Sequence, residues 1–499
     1  MEFGYTASID LNDVPVLSAE ELTTSVVASV QAGRRVLALF GLPEEDGSGV
    51  GLFCLLADDA TRTLAAMRTA PLAAFDSMTP QCPQVHLFER ELFEQWQIRP
   101  EGHPWLKPVR YCPPEVGDAP RPGPAETQYY RILGSQVHEV AVGPVHAGII
   151  EPGHFRFQCY GENVMHLEIQ LGFQHRGIEK LIRNAPARRL LPLVECVAGD
   201  SSIAHVTACC TLIERLTGLS VSMRGQLLRR VALELERLAN HTGDLGAIGG
   251  DTGFLPTSAW NGRIRGDFLN MTALLCGNRF GRGLLCPGGV LQDVDTELCQ
   301  TIGKRLRAAY RDVRGAVDIM FASQSVLARL TGTGRVSRQA ATDLGLVGMA
   351  ARACGLPRDA RVTFPVDDLP LGDMTPRTEL SGDVLARARV RSAELNDAAA
   401  TAGAALTHIP FTRPGEALGT SSIPALPANR CAVGIAEGWR GEVCHVGITG
   451  AKGTFRAYKI VDPSFHNWMG LAMALRDEQI SDFPLCNKSF NLSYCGHDL

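Results

Sequence analysis

Between Gly225 and Gly246, Leu227, Leu228, Val231, Leu235 and Leu238 recur at helical spacing and form one apolar stripe. A second helical pattern runs from Val290 to Leu330 through Leu298, Ile302, Leu306, Val313, Val317 and Met320. Stripes this long cannot be buried by one helix alone, so they predict a helix bundle. Glu234 and His241 fall at the edge of the first stripe, where they read as a structural hydrogen-bond pair. The 499 residues allow two to four domains at roughly 150 residues each. Acids and bases are mixed along the chain, with a net charge of −5 and no Lys/Arg run, so no nucleic-acid partner is expected. The longest apolar stretches, such as Val50–Ala57, fall short of the ~20 residues a spanning helix needs. The first residues lack the basic and apolar regions of a signal peptide, so a cytosolic chain is expected.

The region before the bundle has another texture. Residues 1–110 predict a small α/β domain. It has a helix over Leu22–Ala32, strands over Arg35–Phe40 and Val50–Leu56, a third strand beginning at Val85-His86-Leu87, and a helix over Phe88–Trp96. Residues 111–136 hold Pro113, Pro114, Pro120, Pro122 and Pro124 and read as a stiff linker. From 137 to 499, strands at Val140–His146 and Phe155–Tyr160 lead into the bundle, and strand character returns over Arg440–Tyr458. The expected class is α+β: a small α/β domain, then a mainly helical bundle domain with a small sheet.

Fifteen cysteines invite a metal reading, but no two form Cys-x-x-Cys, the spacing by which one tight turn presents two thiolates to a metal. Mostly they read as free thiols acting as small buried hydrophobes. No Gly-x-Gly-x-x-Gly follows a strand, which argues against direct NAD binding. Asp200, Ser201 and His205 share one short segment, where a nucleophile–base–orienter geometry is hard to build.

Several motifs carry a family resemblance. His175-Arg176-Gly177 before Ile178-Glu179-Lys180, then Ala204-His205, Glu234-Leu235-Glu236-Arg237 and Asn240-His241, resemble the large subunit of group 4 nickel–iron hydrogenases. They equally resemble its homologue, the 49-kDa-type subunit of respiratory complex I. Asn278-Arg279-Phe280, Pro287-Gly288-Gly289-Val290 and Arg440-Gly441-Glu442 fit as well. The terminal Asp482–Leu485 and Asn487–Tyr494 are similar to the hydrogenase-4 and formate-hydrogenlyase branch. Phe88–Glu91 through Gly102-His103-Pro104-Trp105 resembles the 30-kDa-type subunit of complex I.

The resemblance implies a subunit of a membrane-associated oxidoreductase complex, peripheral on the cytoplasmic side of the inner membrane. Its partners would be an iron–sulfur small subunit carrying a 4Fe-4S cluster and antiporter-like membrane subunits; any NAD site would belong to other subunits. Family nickel is held by four thiolates, and the matching positions here are Ala198, Ser201, Ser464 and Asn467. Cys196 is two residues out of register, and the magnesium-binding glutamate falls on Gln158. Neutral oxygens and a methyl group replace soft ligands poorly, so no metal is expected in this chain. For quinone, the tyrosine position falls on Gly199, the histidine in the loop Gly148-Ile149-Ile150-Glu151, and the aspartate on Asp251. A polar cavity bordered by Asp200, His205, Asp251 and His466 is expected to hold the chemistry. His146, His154, His175 and Arg176 are candidates for a quinone-like ligand or a partner interface. No cofactor bound by this chain is expected beyond such a ligand. The alternative is a redox-inactive scaffold that assembles the complex.

Overall fold

In the computed structural model, the first apolar stripe lies on a helix spanning Met223–Asp251, started by Ser222, whose hydroxyl accepts the Gly225 N–H. Its neighbours are the helices Leu255–Cys276, Thr296–Ala322 and Val384–His408, which pack as a bundle. Asp295 and Asp383 cap the last two through the N–H groups of Leu298 and Ala386. The structure describes residues 1–117, 123, 126–148, 150–369, 374–420 and 422–499. Linker residues Pro120, Pro122 and Pro124, and Ile149 of the loop noted above, lie outside them.

The second helical pattern starts later than its sequence suggests. Gly289–Val290 pairs with Leu285–Cys286 as a short hairpin, and at Ser323 the chain divides into Thr296–Ala322 and Gln324–Leu330. Val85–Leu87 is not a strand. Pro83 presets a helical turn, Val85 closes it, and His86–Trp96 continues as a helix burying Leu87, Phe88 and Leu92. The third strand is Thr63–Thr69, which pairs with Val50–Asp58 in a sheet that also holds Glu2–Gly4, Val16–Leu17 and Arg35–Pro43.

A second sheet joins the two ends of the chain. Its order is Phe455–Val461, Glu442–Thr449, Arg430–Glu437, and then the N-terminal pair Ile9–Asp10. Along Arg430–Glu437 side chains alternate: Cys431, Val433 and Ile435 enter the core of the N-terminal sheet, whereas Ala432 and Ala436 enter the bundle core. The sheet is therefore a wall between two cores. Helix Ser202–Thr217 lies directly on it, and a Cβ at Gly434 would sit inside the radius of the Ala208 carbonyl oxygen.

Charged groups lock the two cores together. Lys459 and Arg110 both pair with Glu91, and Arg35 makes two 2.6 Å hydrogen bonds to Glu442. Burial would push the Glu91 carboxyl up, but Arg110 and Lys459 outweigh it and hold the group at about 2. The start of the proline-rich segment is docked rather than free. Glu94 accepts the N–H groups of Val109, Arg110 and Cys112, and Glu115 pairs with Arg183. A third sheet, Val137–Val142, His154–Tyr160 and Asn163–Gln170, completes the mixed helix-and-sheet architecture. Among the described residues, no helix is long and apolar enough to cross a membrane.

Candidate functional site

Two helix starts meet behind the wall sheet. The turn 198–201 leads into Ser202–Thr217, and Asp462 caps Pro463–Ala474 by accepting the Ser464 N–H at 2.8 Å. Between them projects the hairpin turn Gly438–Gly441, closed by reciprocal backbone bonds of 2.8 and 3.1 Å, which presents Trp439 and Arg440. The Arg440 guanidinium grips both oxygens of Asp200 at 2.6 and 2.8 Å and lies 3.9 Å over the Trp439 ring. It also donates to the Asn491 carbonyl and to the Ser201 hydroxyl oxygen. Trp439 and Asn240 each donate to the Asp200 carbonyl at 2.9 Å. Burial would lower the Arg440 pKa, but Asp200 outweighs it and raises it.

His205 sits one turn inside the first helix, wholly buried, with its Nε2 3.0 Å from Asp462 and its Nδ1 3.1 Å from His445 Nε2. His445 Nδ1 is 2.8 Å from the Tyr458 hydroxyl, which in turn interacts with Cys209. One proton assignment satisfies the whole chain: Tyr458 donates to His445, His445 to His205, and His205 to Asp462. Burial, with His205 beside it, holds His445 well below the usual histidine range, and burial raises the Tyr458 hydroxyl well above its own. Burial would raise Asp462, but the His205 bond prevails and lowers it. Glu236 receives the N–H groups of Ile203 and Ala204 at this helix start, and burial pushes its carboxyl up to about 8.

The expected cavity is not assembled. Asp251 is exposed at the far end of its helix, eleven residues beyond Asn240 and therefore ~16 Å further along the axis. His466 turns toward the N-terminal unit and packs on Phe88, with ring centroids 5.8 Å apart. Asp200 and His205 do share one site, but as partners of Arg440 and of Asp462 and His445. No nucleophile–base contact exists there, because Ser201 meets Arg440 and not the His205 ring. Glu234 and His241 do not pair with each other: Glu234 takes Arg237 at 3.0 Å and His241 meets Glu394 at 2.8 Å. His175 and Arg176 bind the C-terminal segment. His175 Nδ1 meets the Asp498 carbonyl at 2.7 Å, and Arg176 donates to carbonyls of Gln174, Cys196, Val197 and Cys495. His146 and His154 bond the carbonyls of Gly153 and Gly143, and thereby brace their own loop.

Arg440, His445, Tyr458 and Asp462 complete the site, and none of the four is a site residue expected from sequence. His445 carried a signal, being one imidazole in the apolar strand Val443-Cys444-His445-Val446. The groups at the four nickel-ligand positions do not suit nickel. Ala198 has no donor. The Ser464 hydroxyl accepts the Ser493 N–H, and the Asn467 amide is spent on both backbone groups of Val347. Among the described residues no cluster of three or more His, Cys, Asp or Glu side chains could hold a metal ion. Gly199, at the quinone-tyrosine position, faces Arg282 and supplies no phenol.

Comparison with known proteins agrees with this architecture. The family profile described as respiratory-chain NADH dehydrogenase, 49 Kd subunit, matches residues 251–419. Formate hydrogenlyase subunit 5 of Escherichia coli (strain K12) is 31% identical over 84% of this chain and 76% of its own length. Hydrogenase-4 component G of the same organism is 29% identical over 86% of this chain and 76% of its own. In fold, the chain is similar to one from the membrane-bound sulfane sulfur reductase, an archaeal respiratory membrane complex. The TM-score is 0.66 at 21% identity, covering 74% of this chain and all of that one. The chain thus belongs to the oxidoreductase-subunit family of formate hydrogenlyase subunit 5, related to the 49-kDa subunit of complex I.

Proposed function

We propose that this chain is the large subunit of a membrane-associated, hydrogenase-4-like or complex I-like oxidoreductase complex that works without a nickel–iron centre. Residues 1–110 serve as a 30-kDa-type domain, 111–136 as its connection, and 137–499 as the 49-kDa-type domain. The chain docks an iron–sulfur small subunit bearing a 4Fe-4S cluster and stands on antiporter-like membrane subunits, at the cytoplasmic face. The names of its relatives, which include a hydrogenase-4 component and a formate hydrogenlyase subunit, support that setting. One observation carries the reading. The two loops that would grip nickel are held in register by Asp200–Arg440 and His205–Asp462, while the side chains at the ligand positions are apolar or spent on other bonds.

On this reading, electrons reaching the partner cluster change the field at the Asp200–Arg440 pair. The buried chain Tyr458–His445–His205–Asp462 ties that site to the wall sheet through three hydrogen bonds. A quinone-like acceptor would meet a face without the family's phenol and loop histidine, so reduction of the complex I type is not part of the proposal. The test is turnover of added acceptors by the purified complex with its small subunit reduced. Acceptor reduction that falls in Asp200→Asn and His205→Gln supports the redox role. Absence of turnover with every acceptor, in a complex that still assembles, would favour the scaffold instead.

A further inference from the structure

An open cleft lies apart from the residues of the Asp200–His205 site, where the N-terminal unit meets the third sheet. The alternation of strand Asn163–Gln170 turns His166, Glu168 and Gln170 toward it. Opposite are Arg90, from helix His86–Trp96, and the segment carrying Trp105, Lys107 and Tyr111. Tyr130 and Trp468 complete the aromatic walls, with Tyr130 4.7 Å from the His166 ring and 6.0 Å from Trp105.

The charges in this cleft do not cancel. Lys107 pairs with Glu168, whose other oxygen accepts the Tyr130 N–H at 2.8 Å. Arg90 donates to the carbonyls of Lys107 and Pro108 at 2.8 Å each, but among the described residues no carboxylate lies within ion-pairing distance of it. Burial, aided by Arg90, holds His86 at about 3, and burial lowers His166, so neither adds a charge at neutral pH. Among the side chains lining the cleft, Arg90 and Lys107 outnumber Glu168 by one, and Glu94 and Glu168 act on Arg90 only from beyond ion-pairing distance. Gln170 supplies a second unmet demand: it is 5% exposed, its carbonyl oxygen accepts the Tyr129 hydroxyl, and its Nε2 has no partner.

We propose that this cleft binds a planar aromatic carboxylate, whose ring lies among Trp105, Tyr130 and Trp468 and whose oxygens take the Arg90 guanidinium and the Gln170 amide. Electron-rich walls favour a flat ring, and an unpaired guanidinium with a neighbouring amide donor favours a monoanionic, planar acceptor group. Glu168, already shared between Lys107 and a backbone N–H, turns away di-anions and leaves room for one carboxylate. The proposal is independent of the redox assignment, because none of these residues belongs to the Asp200–His205 site.

Calorimetric titration of the full-length chain with 2-naphthoate, naphthalene-2-methanol and cyclohexanecarboxylate tests it. Naphthoate is expected to bind, with the neutral alcohol and the saturated acid each weaker by about tenfold or more. Arg90→Met is expected to cost about tenfold or more in naphthoate affinity, and Gln170→Leu roughly three- to tenfold, with circular dichroism unchanged. If Arg90→Met fails to fold, because its two carbonyl bonds hold the 107–108 segment, Gln170→Leu and Trp105→Ala carry the test. Undetectable naphthoate binding, equal affinity for the alcohol, or unaltered affinity in the folded variants would overturn the proposal.

Discussion

His205 Nε2 lies 3.0 Å from an Asp462 oxygen, and that bond ties the start of helix Ser202–Thr217 to the start of Pro463–Ala474 across 257 positions of sequence. Both side chains are buried, so each is the other's compensation for leaving water. His205→Ala is expected to destabilise the chain by about 3–5 kcal/mol, because it strands a buried carboxylate. Asp462→Asn, which retains an acceptor for the imidazole N–H, is expected to cost less than half of that. Urea unfolding at pH 7 decides it, and equal losses in the two variants would contradict the assigned pairing.

Asp200 and Arg440 form the second tie, with Arg440 deeply buried and the Asp200 side chain one-third exposed. Solvent at Asp200 screens the pair, so its coupling is expected at about 1–2 kcal/mol rather than the larger figure of a fully buried one. Asp200→Ala and Arg440→Met, alone and together, give that coupling in a double-mutant cycle. Additive losses would show that the two do not act as a unit.

His466 is buried against Phe88, and burial, with Arg35 and Arg358 nearby, lowers it to about 3 while Asp462 pulls the other way. A histidine depressed below its unfolded pKa of about 6.5 contributes stability that is full above that pH and is lost as pH falls toward 3. At pH 5 the loss should be about 2 kcal/mol from this one group. The unfolding free energy of His466→Asn should fall less than that of the parent between pH 7 and pH 5. Identical pH slopes would contradict a neutral buried imidazole.

Gly434 lets helix Ser202–Thr217 touch the wall sheet, and a methyl there would collide with the Ala208 carbonyl. Since backbone rather than a flexible side chain must move, Gly434→Ala is expected to cost about 2–3 kcal/mol or more. Thermal unfolding reads the loss. A melting point within one degree of the parent would show that the helix does not press on this strand.

The bundle was legible because Leu227, Leu228, Val231, Leu235 and Leu238 repeat at the helical period over about three turns. Helix Val384–His408 was not, because its core side is largely alanine and arginine: Ala386, Arg387, Ala388, Arg391 and Ala398 are all buried, so apolar and polar residues do not separate into faces. Val85–Leu87 read as a strand because three residues carry too little period to distinguish the start of a helix, and only Pro83 marked the turn. At the site, Asp200 and His205 stood out by residue type, but their partners come from positions 440, 445 and 462. No local pattern announces a contact made across more than two hundred residues. The misplacement of Asp251 and His466 has the same origin. Family register gave the position of Asp251 along the chain, while the length of helix Met223–Asp251 and the turn of His466 toward Phe88 are facts of packing.

Side chains at positions 198, 201, 464 and 467 leave nothing to grip a nickel–iron centre. Metal quantification by mass spectrometry on the complex, purified intact from cells grown with nickel, tests it directly. Nickel well below one atom per chain, with iron accounted for by the partner's cluster, is the predicted result. One nickel per chain, retained through gel filtration and lost in Asp200→Ala, would contradict it.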